Sequence, residues 1–204
     1  MKIKCATPGR SGGYSLVELM AVVSIAGALS ALAIPGFHTL ILDNRRTTAV
    51  NELMATLLLA RAEAIKRGQP VVVCGVRDAD GDGILDTAER TCAGRNWSSG
   101  WVVGAWSDAN GDRVVDPGEL EVLRAHFFDS PTVVTVTAGS FAAQPPVAPA
   151  GTAVFKPFSS RSANGTITLC DRRGATHARG IIVSGSGRSR VTARRADGLP
   201  LACP

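Results

Sequence analysis

The sequence predicts an α+β protein in which one long N-terminal helix, apolar in its first half and amphipathic in its second, packs on an antiparallel β-sheet head. Three observations lead there: a charge-free apolar run near the N-terminus, a stripe of helical period after it, and a series of short β-branched segments separated by turn residues. At 204 residues the chain can build one head with a real core, and a second full domain would be cramped.

From Leu19 through Leu42 there is no Asp, Glu, Lys or Arg. A helix of about 20 such residues crosses the hydrocarbon core of a bilayer. Lys2, Lys4 and Arg10 precede the run, so the positive-inside bias keeps that short leader in the cytoplasm and exports the rest. The alternative is an ordinary secretory signal, because Ala31-Leu32-Ala33 resembles its small-residue cleavage site. Glu18 argues against it: an acidic side chain at mid-bilayer costs about 2.5 to 3.5 kcal/mol and usually has a function or a partner. Pro35, just past that cut, also fits poorly.

Beyond the span, Leu53, Leu57, Ala60 and Ala64 recur at helical spacing, with Arg61, Glu63, Lys66 and Arg67 on the polar side. Gly68 and Pro70 supply a stop. The helix is therefore expected from Tyr14 to Arg67, kinked or loosened near Pro35-Gly36. Strands are expected at Val71–Val76, Trp101–Trp106, Leu120–Ala125, Val133–Thr137, Thr152–Phe155, Thr166–Leu169, Gly180–Ser184 and Ser189–Ala193. The Pro/Ala-rich stretch from Gln144 to Gly151 reads as a loop, and no internal repeat is evident.

Cys5 lies in the leader, which leaves Cys74, Cys92, Cys170 and Cys203 in an exported head where disulfides persist. Four cysteines allow three pairings, of which sequence proximity favours Cys74 with Cys92 and Cys170 with Cys203. A zinc site is the alternative, but CxxC spacing and clustered histidines are missing.

Asp78 to Glu89 matches the calcium-loop pattern D-x-[DN]-x-[DN]-G-x5-E without a gap. Asp78, Asp80, Asp82, Asp86 and Glu89 offer side-chain oxygens, Ile84 a carbonyl, and Gly83 the sharp turn. The competing reading is a solvated Asp/Gly turn between strands. A weaker copy runs through Asp108, Asn110, Asp112, Asp116 and Glu119, with Arg113 in place of the turn glycine, and there a simple turn is the better expectation. No cofactor is required by the sequence, and calcium is the one candidate.

Charge is segregated. From Asp78 to Asp129 eleven acidic residues face four arginines; from Lys156 onward nine basic residues face only Asp171 and Asp197. In a strand, Arg188, Arg190, Thr192 and Arg194 would share one face. Gly185 and Gly187 allow a hairpin with Arg188 at its tip. Such a stripe can hold phosphates, protect a sheet edge, or meet the acidic loops of a neighbouring subunit. His38, His126 and His177 have no evident nucleophile or metal partner, so an enzyme is not expected.

Gly13-Tyr14-Ser15-Leu16-Val17-Glu18-Leu19-Met20 resembles the type IV prepilin processing motif, with Glu18 fifth after the cut and Pro35 where pilins commonly carry a helix-kinking proline. The resemblance implies cleavage after Gly13 by a prepilin peptidase and methylation of the Tyr14 amine. It divides the chain into a cleaved leader (1–13), a transmembrane and assembly helix (14–42), and an amphipathic helix with a β-rich head (43–204). Glu18 then becomes intelligible as the partner of a neighbouring subunit's N-terminal amine, setting axial register.

The head resembles the minor pilin and pseudopilin family called FimT/FimU or GspH. The residues that carry this are Ser99-Gly100-Trp101-Val102-Val103, the Asp108–Asp112 turn ending in Gly118-Glu119, Thr166–Asp171, and Ile182-Val183-Ser184 leading to Gly187-Arg188. Gly187-Arg188-Ser189-Arg190 resembles the Gly-Arg-x-Arg motif of DNA-binding FimT pilins used in natural transformation. The resemblance implies a single-pass inner-membrane subunit with a periplasmic head, assembled with other pilin subunits into a pilus. DNA would bind at Arg188 and Arg190, supported by Arg194 and Arg195. The alternative is a structural or tip-initiating minor pilin, or a type II secretion minor pseudopilin, without DNA binding.

Overall fold

A computed structural model describes residues 13–76, 92, 94–112, 115–128, 134–139, 141, 151–157 and 164–203, with backbone only at 32–35 and 117. Helix α1 runs from Leu16 to Arg67. It spans two compact units, residues 1–41 and residues 42–204.

In the first unit, Ser15 caps α1 by accepting the Glu18 N–H at 3.2 Å, and an acidic residue in the first turn suits the positive end of the helix dipole. Hydroxyls in the apolar run are satisfied by the preceding turn: Ser24 donates to the Met20 carbonyl and Ser30 to that of Ala26, both at 2.8 Å. Among the described residues no single helix is long and apolar enough to cross a membrane. Leu16–Ala31 and Gly36–Arg67 meet that test only together, as a broken pair, by length and composition.

In the second unit, Leu53, Leu57, Ala60 and Ala64 are fully buried, as their spacing predicts. The helix stops where the Gly68 N–H donates to the Ala64 carbonyl; φ of +68° at Gly68 is open to glycine at little cost. Glu63 and Arg67 pair at 2.7 Å, and Arg67 reaches Glu121 at 2.8 Å.

Eight strands follow: β1 (Val71–Gly75), β2 (Gly100–Trp106), β3 (Leu120–Phe127), β4 (Thr135–Ala138), β5 (Ala153–Phe155), β6 (Gly165–Cys170), β7 (Arg179–Val183) and β8 (Ser189–Thr192). They match the predicted segments, but they form two antiparallel four-stranded sheets and not one: β3-β2-β1-β5 and β4-β6-β7-β8. The division is made at β4, which lies beside β6. The segment before β2 is stitched to it by Trp97 N–H to the Val136 carbonyl and Ala138 N–H to the Arg95 carbonyl, both 2.8 Å.

One core joins both sheets to α1. Trp101, Val103, Val71 and Val73 from the first sheet, and Val136, Ile167, Leu169, Ile181 and Val183 from the second, pack with Leu53 and Leu57. Trp101 donates its indole N–H to Thr56 at 3.1 Å and stacks on His126. Gly75 is required by this packing, since any Cβ there would collide with the Trp97 ring. Cys74–Cys92 and Cys170–Cys203 are the disulfides, the pairing that proximity favours.

Candidate nucleic-acid interface

The β7–β8 hairpin is built by its small residues. Ser184 N–H donates to the Arg188 carbonyl at 2.9 Å, Gly187 N–H to the Ser184 carbonyl at 2.8 Å, and the Ser184 hydroxyl to the Arg188 carbonyl at 3.1 Å. Gly187 sits at φ +74°, a conformation that L side chains rarely adopt. The Arg188 backbone is thus pinned while its side chain is exposed. Arg190 lies opposite Ile182 on β8, the edge strand, and is also exposed.

The predicted four-residue stripe ends at Thr192. There the chain leaves the sheet in a tight turn: Arg194 N–H donates to the Thr192 hydroxyl at 3.0 Å, which donates back to the Arg194 carbonyl at 2.8 Å. Arg194 Nη1 is engaged with the Gly198 carbonyl at 3.2 Å, and Arg195 lies 3.5 Å from Asp197. Arg188 and Arg190 make no ion pair with any described residue.

Elsewhere in the basic C-terminal region the charges are committed to structure. Arg173 donates to Asp171 at 2.6 Å and to Asp43 at 2.8 Å. Arg46, buried on α1, pairs with Asp43 at 2.7 Å, lies 3.7 Å from Asp171 and donates to the His177 carbonyl. Hydrogen bonds from Arg173, ahead of the cost of desolvation, hold the carboxyls of Asp43 and Asp171 below their ordinary range. The same two carboxylates, Asp171 first, raise the Arg173 guanidinium. The sequence reading missed this network because its members lie about 130 residues apart; only the Asp43–Arg46 spacing on one helix face hints at it.

Of the residues that the sequence singles out for processing and assembly, Tyr14 and Glu18 are exposed near the start of α1, and Gly13 precedes the helix. The calcium-loop residues Asp78, Asp80, Asp82, Gly83, Ile84, Asp86 and Glu89 lie outside the described residues. In the second copy, carboxylate oxygens of Asp108, Asp112 and Glu119 come within 4.8 Å of one another. Glu119 closes this loop as an acceptor: it takes the N–H groups of Ala109 (2.9 Å) and Asn110 (3.3 Å) and the Trp106 indole N–H (3.2 Å).

A capped N-terminal helix that continues into a two-sheet head, behind a pilin-type N-terminal sequence, defines a minor type IV pilin or pseudopilin. The model of the family described as type II transport protein GspH matches residues 49–187, and the chain belongs to that family. A fimbrial protein of Pseudomonas aeruginosa is 42% identical over 60 residues, which are 29% of this chain and 38% of the relative. Fimbrial protein Q of Moraxella bovis is 31% identical over 87 residues, 43% of this chain and 55% of the relative. The chain thus spans about half or less of the length of these relatives. The crystal structure of the type IV minor pilin FimU of P. aeruginosa, strain PAO1, superposes with a TM-score of 0.48 at 17% identity, covering 76% of this chain and 95% of that one.

Proposed function

We propose that this protein is a minor pilin of a type IV pilus and that its head captures DNA through the phosphate backbone at the β7–β8 hairpin. One observation carries the reading: Arg188 and Arg190 stand exposed and without an ion pair among the described residues, in a region whose other characterised arginines are held by carboxylates or carbonyls. Guanidinium groups fork onto phosphate oxygens, whereas the three tryptophans are buried and cannot serve as stacking platforms, so binding follows the backbone and not the base sequence.

The same proposal includes maturation by cleavage between Gly13 and Tyr14, methylation of the new amine, a single inner-membrane span, a periplasmic head, and a Glu18 contact with a neighbouring subunit. Calcium in the Asp78–Glu89 loop is part of it on the strength of the complete ligand spacing.

Fluorescence anisotropy of the full chain in non-ionic detergent, titrated into a short labelled duplex, tests the DNA reading. Wild type is expected to bind in roughly the 10⁻⁶ to 10⁻⁴ M range with steep salt dependence. The Arg188→Gln, Arg190→Gln double variant, at unchanged melting temperature, is expected to lose most of it. Equal binding by the two returns the hairpin to edge protection or subunit contact. Mass spectrometry of the mature N-terminus tests maturation: a chain beginning at Ile34 in place of Tyr14 would defeat the pilin processing site.

The second reading, a minor pseudopilin of type II secretion without DNA binding, is favoured by the description of the matching family.

A further inference from the structure

The outer face of the second sheet, turned away from α1, carries a polar floor. Cross-strand pairing sets Thr137 beside Thr168, and Thr168 and Thr192 on either side of Gly180; one row along, Thr166 lies beside Ile182 and Ile182 beside Arg190. Residues directly paired across strands share a face, so Arg190 stands on the same surface as these threonines. Over the floor lies a groove of about 680 Å³ lined by Thr137, Thr166, Thr168 and Ile182, with Arg95 and Arg195 among its walls.

The two wall arginines sit at opposite edges. Arg95 accepts the Ala138 N–H and so borders β4, whereas Arg195 follows β8. β4 and β8 are three strand spacings apart, roughly 14 Å. That distance matches about four nucleotides of one strand at about 3.4 Å of axial rise each. Arg195 is partly neutralised by Asp197, the one carboxylate among the described residues of the groove lining, while Arg95 makes no ion pair with any described residue.

We propose that this groove is the continuation of the nucleic-acid site: a DNA backbone held at Arg188 and Arg190 crosses the threonine floor and is anchored at its far edge by Arg95. The inference rests on the DNA reading above and adds a path and a second anchor to it. Threonine hydroxyls and guanidinium groups are phosphate-oxygen donors. Among the described residues no aromatic side chain lines the groove, so contacts to backbone, without base stacking, are what its chemistry supports.

The test compares wild type, Arg95→Gln, Ala202→Glu and the Arg188→Gln, Arg190→Gln double variant, each as full chain in detergent at matched melting temperature, by salt-dependent anisotropy on one duplex. Ala202 is exposed in the groove lining, so a carboxylate there repels a phosphate without touching the core. With four phosphates engaged, wild type gives a slope of log K against log salt near −3.6, and Arg95→Gln lowers its magnitude by about 0.9 with a several-fold loss of affinity at low salt. Ala202→Glu weakens binding as well. Wild-type affinity and slope in both Arg95→Gln and Ala202→Glu, with the hairpin variant still weakened, overturns the groove path and leaves the hairpin reading standing. Wild type binding no better than the hairpin variant overturns both.

Discussion

The two sheets share one core on their inner faces and differ on their outer ones. Outside the first sheet, Val72, Trp106, Val115 and Val154 form one apolar cluster, and Cys74, Val76 and Val102 form another, so all seven residues of β2 are buried on both faces. Outside the second sheet the C-terminal tail sets Leu201 over Gly180, and the rest of the face carries threonines, a groove and an arginine-bearing hairpin. Charge divides along the chain in a similar way: acidic residues cluster from Asp78 to Asp129, the stretch that includes β2 and β3, and basic ones from Lys156 onward, the stretch that includes β6, β7 and β8. A sheet covered on both faces is scaffold; one left polar on one face is where a phosphate backbone can lie.

Removing a disulfide is the largest way to test that division. Both close long loops, with separations of 18 and 33 residues, and loss of either is expected to cost about 3 kcal/mol. Their effects on DNA should diverge. Cys170–Cys203 holds the tail that carries Leu201 over Gly180 and Ala202 into the groove lining. Cys170→Ala with Cys203→Ala should therefore weaken DNA binding, whereas Cys74→Ala with Cys92→Ala, measured below its melting point, should not.

The second sheet is tied to α1 by charge, and this bond should fail in acid. Asp43 and Asp171 have folded-state pKa values below their unfolded ones, so the unfolded chain takes up protons first. Their stabilisation is complete above an unfolded value near 4 and is lost as pH falls through the lower folded value. The melting temperature should hold down to about pH 5 and drop below about pH 4. Asp171→Asn, which leaves buried Arg46 with Asp43 alone among these carboxylates, should cost about 2–3 kcal/mol at neutral pH and flatten the acid limb. An unchanged acid limb in that variant would remove the network from the account.

What the sequence disclosed and what it concealed follow from the range of each interaction. Strand positions show in β-branched runs, and the stripe at Leu53, Leu57, Ala60 and Ala64 is a local period. The split into two sheets depends on β4 pairing with β6 and on Asn96 bridging to Thr137, contacts that no local pattern encodes. The arginine stripe was legible through Arg190 and failed at Arg194, because alternation presumes a strand and the Thr192 hydroxyl turns the chain. Arg95 carried no signal at all; only folding brings it to the groove.

Between the sheets the comparison can be reversed one residue at a time. Val102 is buried on the outer face of β2 among Cys74 and Val76. Val102→Thr places a hydroxyl there without a partner and is expected to cost about 1–2 kcal/mol in denaturant unfolding. A neutral result would mean that this face, too, tolerates polarity.

Calcium offers a smaller effect on the acidic side. The Asp78–Glu89 loop lies between Cys74 and Cys92, so occupancy would be felt at the first sheet. With a Kd near 10⁻³ M, 2 mM calcium should stabilise by about 0.7 kcal/mol relative to chelator. The shift should vanish in Asp80→Ala with Asp82→Ala; a shift that persists in that variant places the ion elsewhere.

The smallest expected effect is the most informative about the groove. Thr168 is half-buried on β6, beside Thr137 and Gly180, with its side chain in the groove lining. Valine has nearly its shape and an equal liking for strands, and a hydroxyl open to solvent gives up little when removed. Thr168→Val should therefore leave stability within about 0.5 kcal/mol of wild type. If the outer face were instead closed over, as it is on the first sheet, the hydroxyl would need a protein partner there. Its loss would then strand that partner, at about 1–3 kcal/mol. Chemical denaturation of the full chain in detergent separates the two cases. A loss of that size would show that the second sheet, like the first, is covered on both sides, with no open floor for a DNA backbone to cross.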